Sequence, residues 1–270
     1  MTEKTSAKEF KQFCNDYLEK KCEQQTIQFT ALSGYNFCGG AKSKGEDYYS
    51  ATIKCIAYID EKGDVVEKKV NFTYYLNNKK NLKFIKTKNL TTYKILCKKF
   101  KDKDLYYLLK IRKVRDKRFN NLVSEYLKPI TVDIDGLSFS FNKQFSQYDG
   151  KFTFNNKKID ITLEPARNST DATNSIATFK KINADFNSFY KNILTRCAKE
   201  IIGLANNWND DEQEITENEI INRINEKIFC IEINESDFSI YFEDDDLFLG
   251  HTIIYYGNIE NDKVSVDIAG

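Results

Sequence analysis

Apolar and polar residues alternate through most of the first half of the chain, the period of half-buried strands, whereas one long stretch of the second half repeats every three or four residues. Ser6-Ala7-Lys8-Glu9 has the form of a capping box, with Phe10, Phe13, Cys14, Tyr17 and Leu18 at helical spacing behind it. Strands follow. Tyr48 to Tyr58 and Val65 to Leu76 flank the turn Glu61-Lys62-Gly63-Asp64 as a hairpin, and Leu90 to Lys99 and Leu105 to Lys113 read as two more strands. A short helix from Phe119 to Leu127 runs into Pro129, which disfavours helical geometry in the residue before it and so marks a domain end.

The second half opens on strands, Leu137 to Phe141 and Phe152 to Leu163, with Asp149-Gly150 expected to turn between them. Ile176, Phe179, Ile182, Phe186, Tyr190, Ile193, Cys197, Ile201 and Leu204 then form one apolar stripe, the mark of a single helix about 45 Å long. Thr216-Glu217-Asn218-Glu219 is a second capping box, stapled by Ile215 and Ile220 ahead of a short helix. Strands between Ile228 and Ile268 close the chain, with Glu260-Asn261-Asp262 as the last turn. Strands grouped with strands and helices with helices predict an α+β protein. Two domains are expected: residues 1–130, strand-rich and basic with an N-terminal helix, and residues 131–270, an acidic antiparallel sheet covered by one long and one short helix.

Charge sharpens this division. The 270 residues sum to only +1, which gives no global pull towards nucleic acid or membrane. Residues 1–135 nevertheless hold 28 basic and 17 acidic side chains, +11, and residues 136–270 hold 13 and 23, −10. Seven cysteines, scattered, odd in number and never spaced C-x-x-C, argue against a disulfide framework or a zinc cluster, and a single histidine excludes a multi-histidine metal site. No apolar stretch approaches a membrane span, and no signal peptide is visible, so a cytoplasmic location with reduced thiols is the expectation.

Four motifs of the second half resemble a bacterial domain-of-unknown-function family, the one numbered twenty-two sixty-two. They are Tyr148-Asp149-Gly150-x-Phe152, Ala205-Asn206-Asn207-Trp208, Ile215-Thr216-x-x-Glu219 and Asp246-Leu247-Phe248-Leu249-Gly250-His251. The resemblance implies a cytoplasmic bacterial domain, some of whose members sit beside toxin systems, and brings no established activity. The first half has only a general likeness to strand-rich companion domains.

Candidate chemistry is sparse. Asp244, Asp246 and His251 could together hold Mg²⁺ or Mn²⁺, the centre of a divalent-metal-dependent hydrolase, although Asp also serves as an ordinary turn residue. His251 is also the sole imidazole base, for which Cys230, Ser236 or Ser239 would be the nucleophile; no G-x-S-x-G elbow is present. Gly34 to Ser43 evokes a phosphate-binding loop, but Lys42 comes too late after the glycines, and that reading is rejected. From Lys79 to Arg118 there are 16 basic and three acidic residues interleaved with Phe84, Tyr93, Phe100, Tyr106 and Tyr107, a pattern that suits single-stranded nucleic acid. Its plainer explanation is the wet and dry faces of strands, with lysines guarding sheet edges. From Asp210 to Asp246, 14 acidic residues face only Arg223 and Lys227. The reading that follows is a non-enzymatic binding protein without cofactor, of immunity type, whose acidic face captures a protein partner with a basic surface. Its partner-facing residues are Trp208, Asp210, Asp211, Glu212, Glu214, Asp244 and Asp245. The metal-dependent hydrolase and the nucleic-acid module are the alternatives.

Overall fold

The computed structural model describes residues 6–35, 40–42, 48–77, 88–167, 169–209 and 213–270. The chain divides into two compact units, Met1–Lys128 and Pro129–Gly270. The architecture is α+β.

The first unit begins with α1 (Ala7–Lys21). Ser6 Oγ accepts the Glu9 N–H while the Glu9 carboxylate accepts the Ser6 N–H, so the capping box is complete. The strands are β1 (Cys22–Ser33), β2 (Gly40–Ala41), β3 (Tyr49–Ile59), β4 (Val65–Val66), β5 (Val70–Leu76), β6 (Thr92–Phe100) and β7 (Tyr106–Lys113), followed by a 3₁₀ turn and α2 (Asn120–Leu127). Neighbours run β1-β6-β7-β5-β3, and β3 pairs back onto β1, so these five strands close into a ring. Every pair in the ring is antiparallel except β5 with β7. Alternation then sorts side chains into two sets. Phe72, Ile95, Ile53, Tyr93, Cys97 and Leu108 fill the barrel. Outside it, Tyr17 and Leu18 of α1 cover Cys22, Phe100 and Tyr107, and Phe119 at the start of α2 covers Leu32 and Ala57.

The second unit is one eight-stranded sheet whose spatial order equals its chain order: β8 (Thr131–Ile134), β9 (Leu137–Asn142), β10 (Gln147–Phe154), β11 (Lys157–Glu164), β12 (Ile228–Asn234), β13 (Asp237–Glu243), β14 (Thr252–Asn258) and β15 (Val264–Ala269). Six of its seven neighbouring pairs are antiparallel, as in a plain meander, but β11 and β12 are parallel, and a parallel step needs a long crossover. That crossover holds α3 (Thr173–Ala184), α4 (Phe186–Trp208) and α5 (Glu217–Ile224). Ile161, Ile231, Ile240 and Tyr255 from the sheet meet Phe179, Ile193, Cys197 and Ile220 from the helices in one core.

Two local expectations are corrected. The single long helix is two, because Asp185 leaves helical geometry (φ −145°, ψ 72°) and its carboxylate caps the Ser188 N–H of α4 at 3.1 Å. Ile182 and Phe186 are both buried and four residues apart, so the apolar period runs through the break. Asp149-Gly150 lies inside β10. The turn is Asn155-Asn156, both at positive φ (47° and 62°), as a tight hairpin requires. Gly150 serves close packing instead: a Cβ there would lie 2.5 Å from the Phe139 ring.

Candidate binding site around Trp208

Three segments that lie far apart in sequence meet at the C-terminal end of α4. The first is the loop between β13 and β14. Asp244 is only 4% exposed, and its carboxylate accepts the backbone N–H groups of Phe248 at 2.7 Å, Gly250 at 3.0 Å and Asp246 at 3.3 Å. A carboxylate ringed by amide donors fixes the path of the loop. The loop needs such fixing, because Asp245, Asp246, Leu249 and Gly250 all have positive φ, a region costly for residues with a Cβ. Leu249 (φ 57°) is at the same time 82% exposed. A strained, solvent-facing leucine held by a buried carboxylate is the kind of feature that function rather than packing explains.

The second segment is the helix end. Trp208 sets its ring edge-to-face against Phe248 (5.7 Å between centroids) and His251 (5.5 Å) and stays 41% exposed. Just before it, Asn206 donates to Ile215 O at 3.1 Å and accepts the Ile215 N–H at 2.7 Å, pinning the connection to α5. His251 Nδ1 lies 2.5 Å from Phe248 O. A carbonyl can only accept, so Nδ1 carries the proton and Nε2 is left without a partner among the described residues. The third segment is β15. Glu200, Ile201, Leu204, Trp208, His251, Val266, Asp267 and Ile268 together line a cleft of about 340 Å³. Its walls are mixed, with Leu204 and Trp208 exposed beside two solvent-facing carboxylates, Glu200 and Asp267.

Not all the residues expected to face a partner do so. Asp244 points inward. Asp245 is engaged by Lys227 at 2.7 Å and Arg223 at 3.8 Å, and the Lys227 hydrogen bond lowers its pKa from the ordinary aspartate value. Glu214 and Trp208 are exposed, and Asp210, Asp211 and Glu212 lie outside the described residues. Sequence reasoning missed Glu200, Leu204, Asp267 and Leu249. Leu204 ends the helical stripe, where exposure is legible only once the end of α4 is placed.

The chemical alternatives fare differently. Asp244 spends its oxygens on backbone amides, and among the described residues no three His, Cys, Asp or Glu side chains converge on a metal position. Cys230 does not stand beside the imidazole. It sits on β12 between Asp160 and Tyr241, and burial pushes its thiol up to about 12, far from a nucleophile. Of the aromatics interleaved with the basic stretch, Tyr93 and Tyr106 pack with the barrel interior and Phe100 and Tyr107 lie under α1, while Phe84 lies outside the described residues, as does much of the Gly34–Ser43 segment. No helix among the described residues is long and apolar enough to cross a membrane.

No curated protein matches the chain. Among solved structures, a replication protein A heterotrimer bound to single-stranded DNA aligns at 9% identity and a TM-score of 0.25, over 91% of this chain and 49% of that one, so this chain spans about half its length. Residues 137–268 match the family described as an uncharacterized protein conserved in bacteria (DUF2262), and residues 15–126 match a separate domain of unknown function (DUF7021).

Proposed function

We propose that the chain is a binding protein whose C-terminal unit docks a basic segment of a protein partner in the cleft beside Trp208. The observation that carries this reading is a half-exposed tryptophan, held by Phe248 and His251, in a cleft that the acidic residues Glu200 and Asp267 also line. Indole faces attract guanidinium and ammonium groups, and flanking carboxylates complete the pairing. Trp and Arg are among the side chains that most often anchor an interface, and Leu249, next in the chain to Phe248, offers an exposed apolar side chain. In its finer form the proposal is an immunity-type inhibitor, in which the acidic C-terminal unit covers the cationic surface of a toxin; electrostatic steering would then supply the rate of capture. The reading needs no bond-making step and no cofactor.

Trp208 is the sole tryptophan, so the site reports on itself. Titration with a short arginine-rich peptide is expected to change Trp208 fluorescence saturably, while a glutamate-rich peptide of the same length leaves it unchanged. The variant Glu200→Gln with Asp267→Asn should weaken the arginine response at least tenfold. A spectrum indifferent to the cationic peptide, or a response kept intact by that variant, would reject the cleft as the docking site.

A further inference from the structure

The outer face of the N-terminal barrel carries a second site of opposite sign. Register places nine outward side chains of β1, β6 and β7 in three rows, Thr30–Lys94–Arg112, Gln28–Leu96–Lys110 and Thr26–Lys98–Tyr107. Four are cations and none is an anion. Tyr107 is buried beneath α1, whereas Lys94, Lys110 and Arg112 are exposed and Lys98 is partly so. Among the described residues none of the four cations forms an ion pair, although the same unit does pair Lys68 with Asp104. Lys94 and Arg112 stand directly opposite one another on neighbouring strands, where like charges repel at a Cβ separation of about 5 Å. Lysines commonly protect sheet edges, but that explanation does not reach this face: β6 is paired on both sides by β1 and β7, and β7 by β6 and β5. The ring order is that of five-stranded OB barrels, which ordinarily bind ligands on their second and third strands, here β3 and β5; the basic rows lie on the first, fourth and fifth.

From this we infer that the β1–β6–β7 face binds the phosphodiester backbone of a nucleic acid. Four unpaired cations held in a repelling array lower their electrostatic energy when a polyanion lies along them and releases its counterions. The aromatics of these strands are turned inward or covered, and the apolar side chain between the rows is Leu96, so the face offers charge without base stacking. Binding should therefore be indifferent to base sequence.

The test is fluorescence anisotropy of the full chain with a labelled oligothymidylate of about 20 nucleotides across a salt series. Four phosphate contacts on a single strand predict a slope of log K against log salt of about −2.8, or roughly a 50-fold loss between 50 and 200 mM salt. Removing two cations in Lys94→Gln with Arg112→Gln should halve the slope, to roughly a 7-fold loss over the same range. The variant removes a repulsion, so it should melt no lower than the parent. Lys98→Gln with Lys110→Gln acts on the other two rows, should give the same reduction, and keeps the test open if the first variant folds poorly. Absence of oligonucleotide binding, an unchanged slope in both variants, or displacement by polyglutamate as effective as by unlabelled oligonucleotide would overturn the inference.

Discussion

Asp244 shows how a residue that reads as a reactive acid becomes a structural one. In sequence it belongs to the run Glu243-Asp244-Asp245-Asp246 and offers the same chemistry as its neighbours. Three-dimensional placement separates them: Asp244 is buried on amides, Asp245 pairs with Lys227, and Asp246 is exposed. Hydrogen bonds to a charged group are worth about 1.5–3 kcal/mol, more than neutral ones, so Asp244→Ala should cost at least about 2 kcal/mol in denaturant melts. Leu249→Gly should behave differently. Relief of strain at φ 57°, about 1 kcal/mol, offsets the added freedom of glycine in the unfolded chain, so stability should change by less than about 0.5 kcal/mol while cationic-peptide binding weakens. The Asp245–Lys227 pair has a pH signature. The folded state holds the Asp245 carboxyl below its ordinary value, so its stabilisation is complete above about pH 4 and disappears as pH falls through the lowered value. Asp245→Asn should lower stability slightly at neutral pH and flatten the acid limb of a stability–pH curve, so that variant and parent converge at low pH. None of these distinctions was legible in the sequence, because the donors that consume Asp244 are backbone groups that every residue possesses.

Elements were more legible than residues, and their failures have physical causes. The strands flanking Glu61–Asp64, both capped helices and the final hairpin stand close to where alternation and capping chemistry put them. The stripe through α3 and α4 misled because an apolar face can continue across a break when the two helices share one core. Phe186, at the first position of α4, tests that account. Its ring lies 4.8 Å from those of both Phe152 and Phe154 and stacks near Tyr190, so Phe186→Ala should cost about 3–5 kcal/mol through lost burial and a cavity. Asp185→Ala removes only the cap and should cost about 1 kcal/mol. A melt in which the two variants are equally damaging would mean that the break, rather than the packing, holds the helix pair. Closure of the barrel was not foreseen, since pairing of β3 back onto β1 joins residues such as Thr30 and Ile59 that no local pattern connects.

At the scale of the molecule, the charge division noticed in the sequence acquires two addresses, a cationic face on one barrel and an acid-flanked cleft beside one helix. Each address stands on its own core. The large cluster around Ile161, Cys197 and Tyr255 draws only on residues after Pro129, and the three smaller clusters only on residues before it. Unfolding should follow the same division, since a cooperative transition is set by the core that holds it. Trp208 fluorescence reports on the second unit alone, because the first contains no tryptophan. Ile95→Ala, in the fully buried centre of the barrel, should cost that unit about 2–5 kcal/mol and lower its far-ultraviolet melting step. The same substitution should leave the Trp208 midpoint within error, whereas Phe186→Ala should move the Trp208 midpoint and spare the barrel. The cross-comparison is decisive in both directions. If Ile95→Ala shifts the Trp208 transition as far as the circular dichroism step, the chain unfolds as one cooperative body, and two binding faces on independently stable units is the wrong description of it.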